Sequence, residues 1–298
     1  MPDYISAPYE IKINFERQSK NPARVFHAMS GLIETFEHFD RALIIPFGVS
    51  LDPILLLDDI STGSLRSKLA ALLTSIDDEA IKELDWKKFV GSYLVKSKHF
   101  LIKKLEDKPE IQDRSQLLEI TDGLNNLAQA TNILHLPVYK PIPPSAVLKT
   151  IKHTTQSLSY LSPHDSAEYI THNEKVEFNT SFIYRKEMEQ ELLTDSSKQS
   201  TTNEKIKVKK PDYLGDSMWQ FKHRGHVIFT KMEDHNWLLK FQNKQEEVKP
   251  GDALSVVLET TLNYDEQGNE VGEYYRVLKV LSVIKSSLFY DDDLLDDN

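Results

Sequence analysis

The apolar residues of this chain change their period along its length, and that change constrains the fold more than any single motif does. Between residues 22 and 161 they recur mostly every three to four positions, as on one face of a helix; from Met218 to Ile284 they mostly alternate, as on a strand. Two periods in separate stretches mean two unlike cores. The length of 298 residues leaves room for both, since single cores stop growing near about 250–300 residues. The expected fold class is α+β: a mostly helical α/β N-terminal part followed by a small β-barrel-like C-terminal domain.

The first part opens on a strand, with Tyr9, Ile11, Ile13 and Phe15 on one side and Glu10, Lys12, Asn14 and Glu16 on the other. Asn21-Pro22 supplies an Asn cap and a helix-starting proline, and Val25, Met29, Leu32, Ile33, Phe36 and Phe39 make 22–40 an amphipathic helix. Ala42–Ile45 and Pro53–Ile60 read as short strands. The Leu-, Ala- and Lys-rich stretch after Ser64 reads as a helix, with a hairpin across Thr62-Gly63 as its alternative. Residues 77–132 read as helical, with Asp77, Asp85 and Asp113 as caps. A proline-dense connector at 135–145 precedes another helix that ends at Ser162-Pro163. These elements give an α/β platform over 1–165.

A hairpin turning at His172-Asn173, a short helix over 183–194 and the polar run 195–205, expected to be a linker with little to bury, fill the span 166–212. The β domain, 213–287, is expected to hold strands at Met218–His223, His226–Met232, Ala253–Leu258 and Tyr274–Ile284. A helix around Trp237 and tight turns at Arg224-Gly225 and Pro250-Gly251-Asp252 join them, as in a closed or half-closed barrel. The acidic tail is 288–298.

With no cysteine in the chain, disulfides, thiolate nucleophiles and cysteine metal sites are excluded. No basic segment followed by an apolar run opens the chain, and no apolar stretch approaches the roughly 20 residues that span a bilayer. A cytoplasmic location without membrane attachment is expected. The formal charge is −10, and Asp291, Asp292, Asp293, Asp296 and Asp297 supply half of it. A net-negative chain argues against a dedicated nucleic-acid binder but leaves room for a local basic patch.

Catalytic signatures were sought and none stands out. Phosphate-cradling glycine motifs and a G-x-S-x-G elbow are absent; Thr62-Gly63-Ser64 reads as a turn and cap. Asp212 with Glu247 and Lys249 matches a PD…ExK nuclease pattern only formally, because both carboxylates sit on turns. His223, His226, His235 and Asp234 lie near one another in sequence without metal-ligand spacing. No catalytic residue, metal or cofactor is assigned.

Two surfaces remain. Lys205, Lys207, Lys209, Lys210, Lys222 and Arg224, with Trp219 and Phe221 nearby for stacking, make a candidate anion site. The tail interleaves Leu288, Phe289, Tyr290, Leu294 and Leu295 with its aspartates, a mixture suited to a basic, apolar groove. The C-terminal run carried by Trp219, Phe221, Gly225, Asp234, Trp237, Leu238 and Pro250–Leu254 resembles a domain of uncharacterised bacterial proteins from mobile-element and phage-defence islands. The resemblance covers about the last third of the chain and implies a setting rather than an activity. The leading expectation is a non-enzymatic adaptor or regulatory protein, in anti-phage defence as the resemblance implies. It would recognise a protein partner, a ligand or a second copy of itself through Trp219, Phe221, Trp237, Phe289 and Tyr290. The alternative is a nucleic-acid-binding protein or metal-dependent nuclease using residues 205–224.

Overall fold

The computed structural model describes residues 7–16, 21–47, 51–61, 65–75, 86–131, 140–172, 174–213, 215 and 217–286; for Ala7, 51–61, 68–75 and 86–89 the description is of the backbone. The chain divides into two compact units, Met1–Leu193 and Thr194–Asn298. The fold is α+β, with a helix-rich first unit and a small closed barrel in the second.

In the first unit, β1 (Ala7–Asn14), β2 (Leu51–Ser61), β3 (Leu65–Ser75), β4 (Ser166–Ile170) and β5 (Lys175–Glu177) form one antiparallel sheet in the order β2-β3-β1-β4-β5. The alternation in β1 sets Tyr9, Ile11 and Ile13 against Val25, Met29, Leu32 and Phe36 of α1 (Ala23–Ile44). A second cluster joins the end of α1 to α2 (Trp86–Leu105), α3 (Arg114–Gln129) and α4 (Pro144–Leu158). Asp113 caps α3 by accepting from the Gln116 N–H at 3.0 Å, as expected; Asp77, Asp85 and the Thr62-Gly63-Ser64 turn lie outside the described residues.

Several expectations are corrected here. Ala42–Ile45 is not a strand: α1 runs to Ile44 and closes in a 3₁₀ turn, burying Leu43, Ile44 and Phe47. The helix starts at Ala23, with Pro22 at the cap position and no side-chain cap bond. Residues 65–75 are strand β3, the hairpin alternative, because they bond β1 on one edge and β2 on the other. Bonding along both edges outweighs the helix preference of Leu, Ala and Lys. The expected 183–194 helix is a 3₁₀ turn, Lys186–Met188, followed by α5 (Glu189–Leu193).

Among the described residues of this unit, two ion pairs are buried. Lys98 pairs with Asp40, and its Nζ lies over the Tyr9 ring, 5.0 Å from the ring centre. Burial pushes the Asp40 carboxyl up and the Lys98 ammonium down, and each charge pulls the other partly back. Arg24 contacts Asp165 at 2.8 Å, and Asp165 also accepts from the Glu16 and Ser162 N–H groups, tying β1, α1 and the turn before β4 together.

The second unit contains β6 (Ser196–Lys210), β7 (Trp219–His223), β8 (His226–Met232), α6 (His235–Gln242), β9 (Ala253–Tyr264) and β10 (Glu270–Ile284). The barrel closes in the order β10-β8-β7-β6-β9. The expected linker is therefore a barrel strand. β6 pairs with β9 from Ser196 to Lys207 and with β7 from Lys207 to Lys210. The span 166–212 is divided accordingly, its hairpin joining the first sheet and its polar run the barrel. Inside the barrel, Trp219 and Phe221 meet Trp237 and Phe241 of α6, with the Trp219 and Phe241 ring centres 4.9 Å apart. Asp234 fixes α6 by accepting from the Trp237 and Val280 N–H groups, both at 3.0 Å. The β7–β8 turn places Arg224 (φ 47°) and Gly225 (φ 81°) in the left-handed region that two-residue hairpins require.

Candidate nucleic-acid interface

Alternation along three neighbouring strands builds the site. Ile206 and Val208 of β6, Trp219 and Phe221 of β7, and Ile228, Thr230 and Met232 of β8 point into the barrel. Their neighbours must point out. The outer face of β6–β7–β8 therefore carries Lys205, Lys207 and Lys209, then Gln220 and Lys222, then Val227, Phe229 and Lys231. Register sets Lys207 opposite Lys222, Lys222 opposite Val227, and Gln220 opposite Phe229; a bulge brings Lys210 opposite Gln220.

The result is a face with lysines on its β6 and β7 side and exposed apolar residues on its β8 side, where Phe229, Val227 and Met218 also line the neighbouring groove. Phe229 is 56% exposed, Met218 54% and Val227 45%. Lys205, Lys207, Lys209, Lys210 and Lys222 make no ion pair among the described residues, while Lys231 lies 3.4 Å from Glu233. Residues 205–231 hold seven Lys and Arg against two Asp, and residues 232–286 hold six against ten Asp and Glu. Positive charge is thus gathered on β6–β8 within a span, 205–286, whose charges nearly cancel, thirteen basic against twelve acidic. Facing Lys207 with Lys222 costs stability, since like charges directly opposite on neighbouring strands repel.

Beside this face runs a groove of about 800 Å³, lined by Thr202, Glu204, His223, Phe229, Thr260 and Tyr275 among others. It exists because β6, β9 and β10 extend beyond the short β7–β8 hairpin. The Glu204 carboxylate accepts from Arg224 Nη2 at 2.8 Å and lies 3.2 Å from His223 Nε2. Burial alone would raise its pKa, but these two partners hold it below the ordinary carboxylate range. Burial first, and the neighbouring Glu273 carboxylate second, push the Tyr275 hydroxyl above its ordinary value.

The residues expected to form the site are distributed unevenly. Lys205, Lys207, Lys209, Lys210 and Lys222 do converge. Arg224 stands at the hairpin tip, engaged by Glu204. Trp219 (1% exposed), Phe221 (0%) and Trp237 (9%) fill the core and are closed to a partner or a base, which corrects their assignment as contact residues. Phe289 and Tyr290 lie outside the described residues. The carboxylates of the nuclease-like pattern are engaged locally: Asp212 accepts from the Gly215 and Ser217 N–H groups, and Glu247 pairs with Lys249 at 2.7 Å. Among the described residues no group of three or more His, Asp or Glu is arranged to hold a metal ion, and no helix is long and apolar enough to cross a membrane.

Val227, Phe229 and Lys231 were missed. Their signal was the alternation of His226–Met232, which separates them from Ile228, Thr230 and Met232 but does not say which set faces inward. Comparisons with known protein families, curated proteins and solved structures find no match for this chain.

Proposed function

We propose that this chain binds single-stranded nucleic acid on the outer face of β6–β7–β8. Phe229 stacks with a base, Val227 makes an aliphatic contact beside it, and Lys205, Lys207, Lys209, Lys210, Lys222 and Lys231 contact phosphates. The observation that carries this reading is an exposed aromatic ring beside unpaired lysines in a domain whose tryptophans are buried. Base faces are open to stacking only where strands are unpaired, so such a platform selects single strands over duplex. Topology supports it. Numbered within the barrel, the strand order is 1-2-3-5-4, with a helix between strands 3 and 4 and strands 3 and 5 parallel, the arrangement of an OB-fold. Barrels of that kind bind oligonucleotides and oligosaccharides on the face of strands 2 and 3. That likeness is analogy at the level of fold; the lysines favour the polyanion. Cleavage is not part of the proposal, because Asp212 and Glu247 are engaged in separate local contacts.

Fluorescence anisotropy with labelled single-stranded DNA and RNA tests it. Replacing Phe229 with alanine should weaken binding by about 1–3 kcal/mol, or roughly 5- to 150-fold, while leaving thermal stability nearly unchanged. Absence of binding at about 50 mM salt, or a silent Phe229→Ala, would overturn the proposal.

A further inference from the structure

We infer that the acidic segment 287–298 of this same chain docks on the lysine face and competes with nucleic acid for it. The inference rests on the proposed nucleic-acid site. Two observations beyond that site carry it.

The first is position. The last described residue, Ser286, is held at the lysine strand: its N–H donates to Asp252 Oδ1 at 2.9 Å. Asp252 in turn is bonded through its backbone to Val208, with Val208 N to Asp252 O at 2.7 Å and Gly251 N to Val208 O at 2.8 Å. Val208 sits between Lys207 and Lys209. The segment therefore starts beside β6. Asp291 lies five residues on, a reach of at most about 17 Å, and Asp297 eleven residues on, about 37 Å. The three-strand face is only about 10 Å across, two strand spacings.

The second is complementarity. Residues 287–298 contain five aspartates and no basic residue, interleaved with Leu288, Phe289, Tyr290, Leu294 and Leu295. The face offers the converse, unpaired lysines on β6 and β7 beside exposed Val227 and Phe229 on β8. Carboxylates at the phosphate contacts and an aromatic ring on Phe229 would imitate a short single strand. A segment tethered at about 1 mM effective concentration, with an intrinsic affinity near 100 µM, lowers the apparent nucleic-acid affinity about tenfold.

The test compares the full chain with a full-chain variant in which Asp291, Asp292, Asp293, Asp296 and Asp297 are all asparagine. A labelled oligothymidylate of about 16 nucleotides, the upper end of the site sizes such barrels cover, is the probe. The variant should bind about tenfold more tightly at low salt, with the difference shrinking as salt rises. A synthetic peptide of residues 287–298 is then added to the variant, with methyl NMR reporting on Val227 and Met218, both exposed. It should shift both, and should fail to do so once Lys207 and Lys222 are glutamate. Equal oligonucleotide affinity with no peptide shift overturns the docking and leaves the nucleic-acid reading standing. Peptide shifts without any oligonucleotide binding keep the docking and sink the nucleic-acid reading. Dimers of the full chain that dissociate in the variant would place the segment on a second copy, which overturns docking within one chain.

Discussion

Replacing Lys222 with glutamine should move stability and binding in opposite directions. Lys222 faces Lys207 across β6 and β7, with no acidic partner for either among the described residues. Directly opposed like charges on exposed strands cost about 0.5 kcal/mol. For a barrel of this size, recovering that amount raises Tm by about 2–4 °C. Trp219 and Trp237 report the barrel's transition by fluorescence, since both sit in its core. The same change removes one phosphate contact. For single strands each contact contributes about 0.7 to the slope of log K against log salt, so affinity should fall about fivefold near 0.1 M salt. A lower Tm would mean that the two ammonium groups do not repel across the strands. An unchanged Kd together with an unchanged salt slope would mean that this face does not meet phosphate, and the functional argument would fall with it.

Three further outcomes follow from the packing. Asp40→Ala strands Lys98 in the core and should cost about 3–5 kcal/mol, whereas Asp40→Leu combined with Lys98→Met should recover most of it in denaturant titrations. Gly31→Ala would place a Cβ 2.4 Å from Ser157 Oγ and should cost about 1–3 kcal/mol, with Ser157→Ala restoring part of the loss. Burial alone would raise the Asp252 carboxyl, but the Ser286 and Lys249 amides and the Lys285 ammonium hold it below its ordinary 3.8. Its ionised form therefore stabilises the fold above that value and loses the effect as pH falls through the lowered one. Asp252→Asn should cost about 2 kcal/mol at neutral pH and nothing in strong acid, as urea midpoints across pH will show.

How much was legible in the sequence depended on how many faces of an element are buried. β1, α1, α3 and α4 bury one face and expose the other, so their periods announced them, and Trp219 through Met232 announced a hairpin in the same way. Yet a period cannot tell inside from outside. The tryptophans drew attention as contact residues because they are large and aromatic, whereas closing the barrel around α6 put them in its core and left Phe229 outside. β6 is the opposite case. Its first half, Ser196–Asn203, is exposed throughout, so no apolar alternation marks it as a strand, and it exists because β9 supplies a bonding edge along its length. The convergence of Lys207, Lys210 and Lys222 with Phe229 depends on the pairing of β6 with β7 and of β7 with β8, which brings together residues up to 22 positions apart. Local preference and burial pattern were written in the sequence by itself; which edges meet and which face turns outward were decided by tertiary structure, because backbone hydrogen bonds between strands carry no side-chain signature.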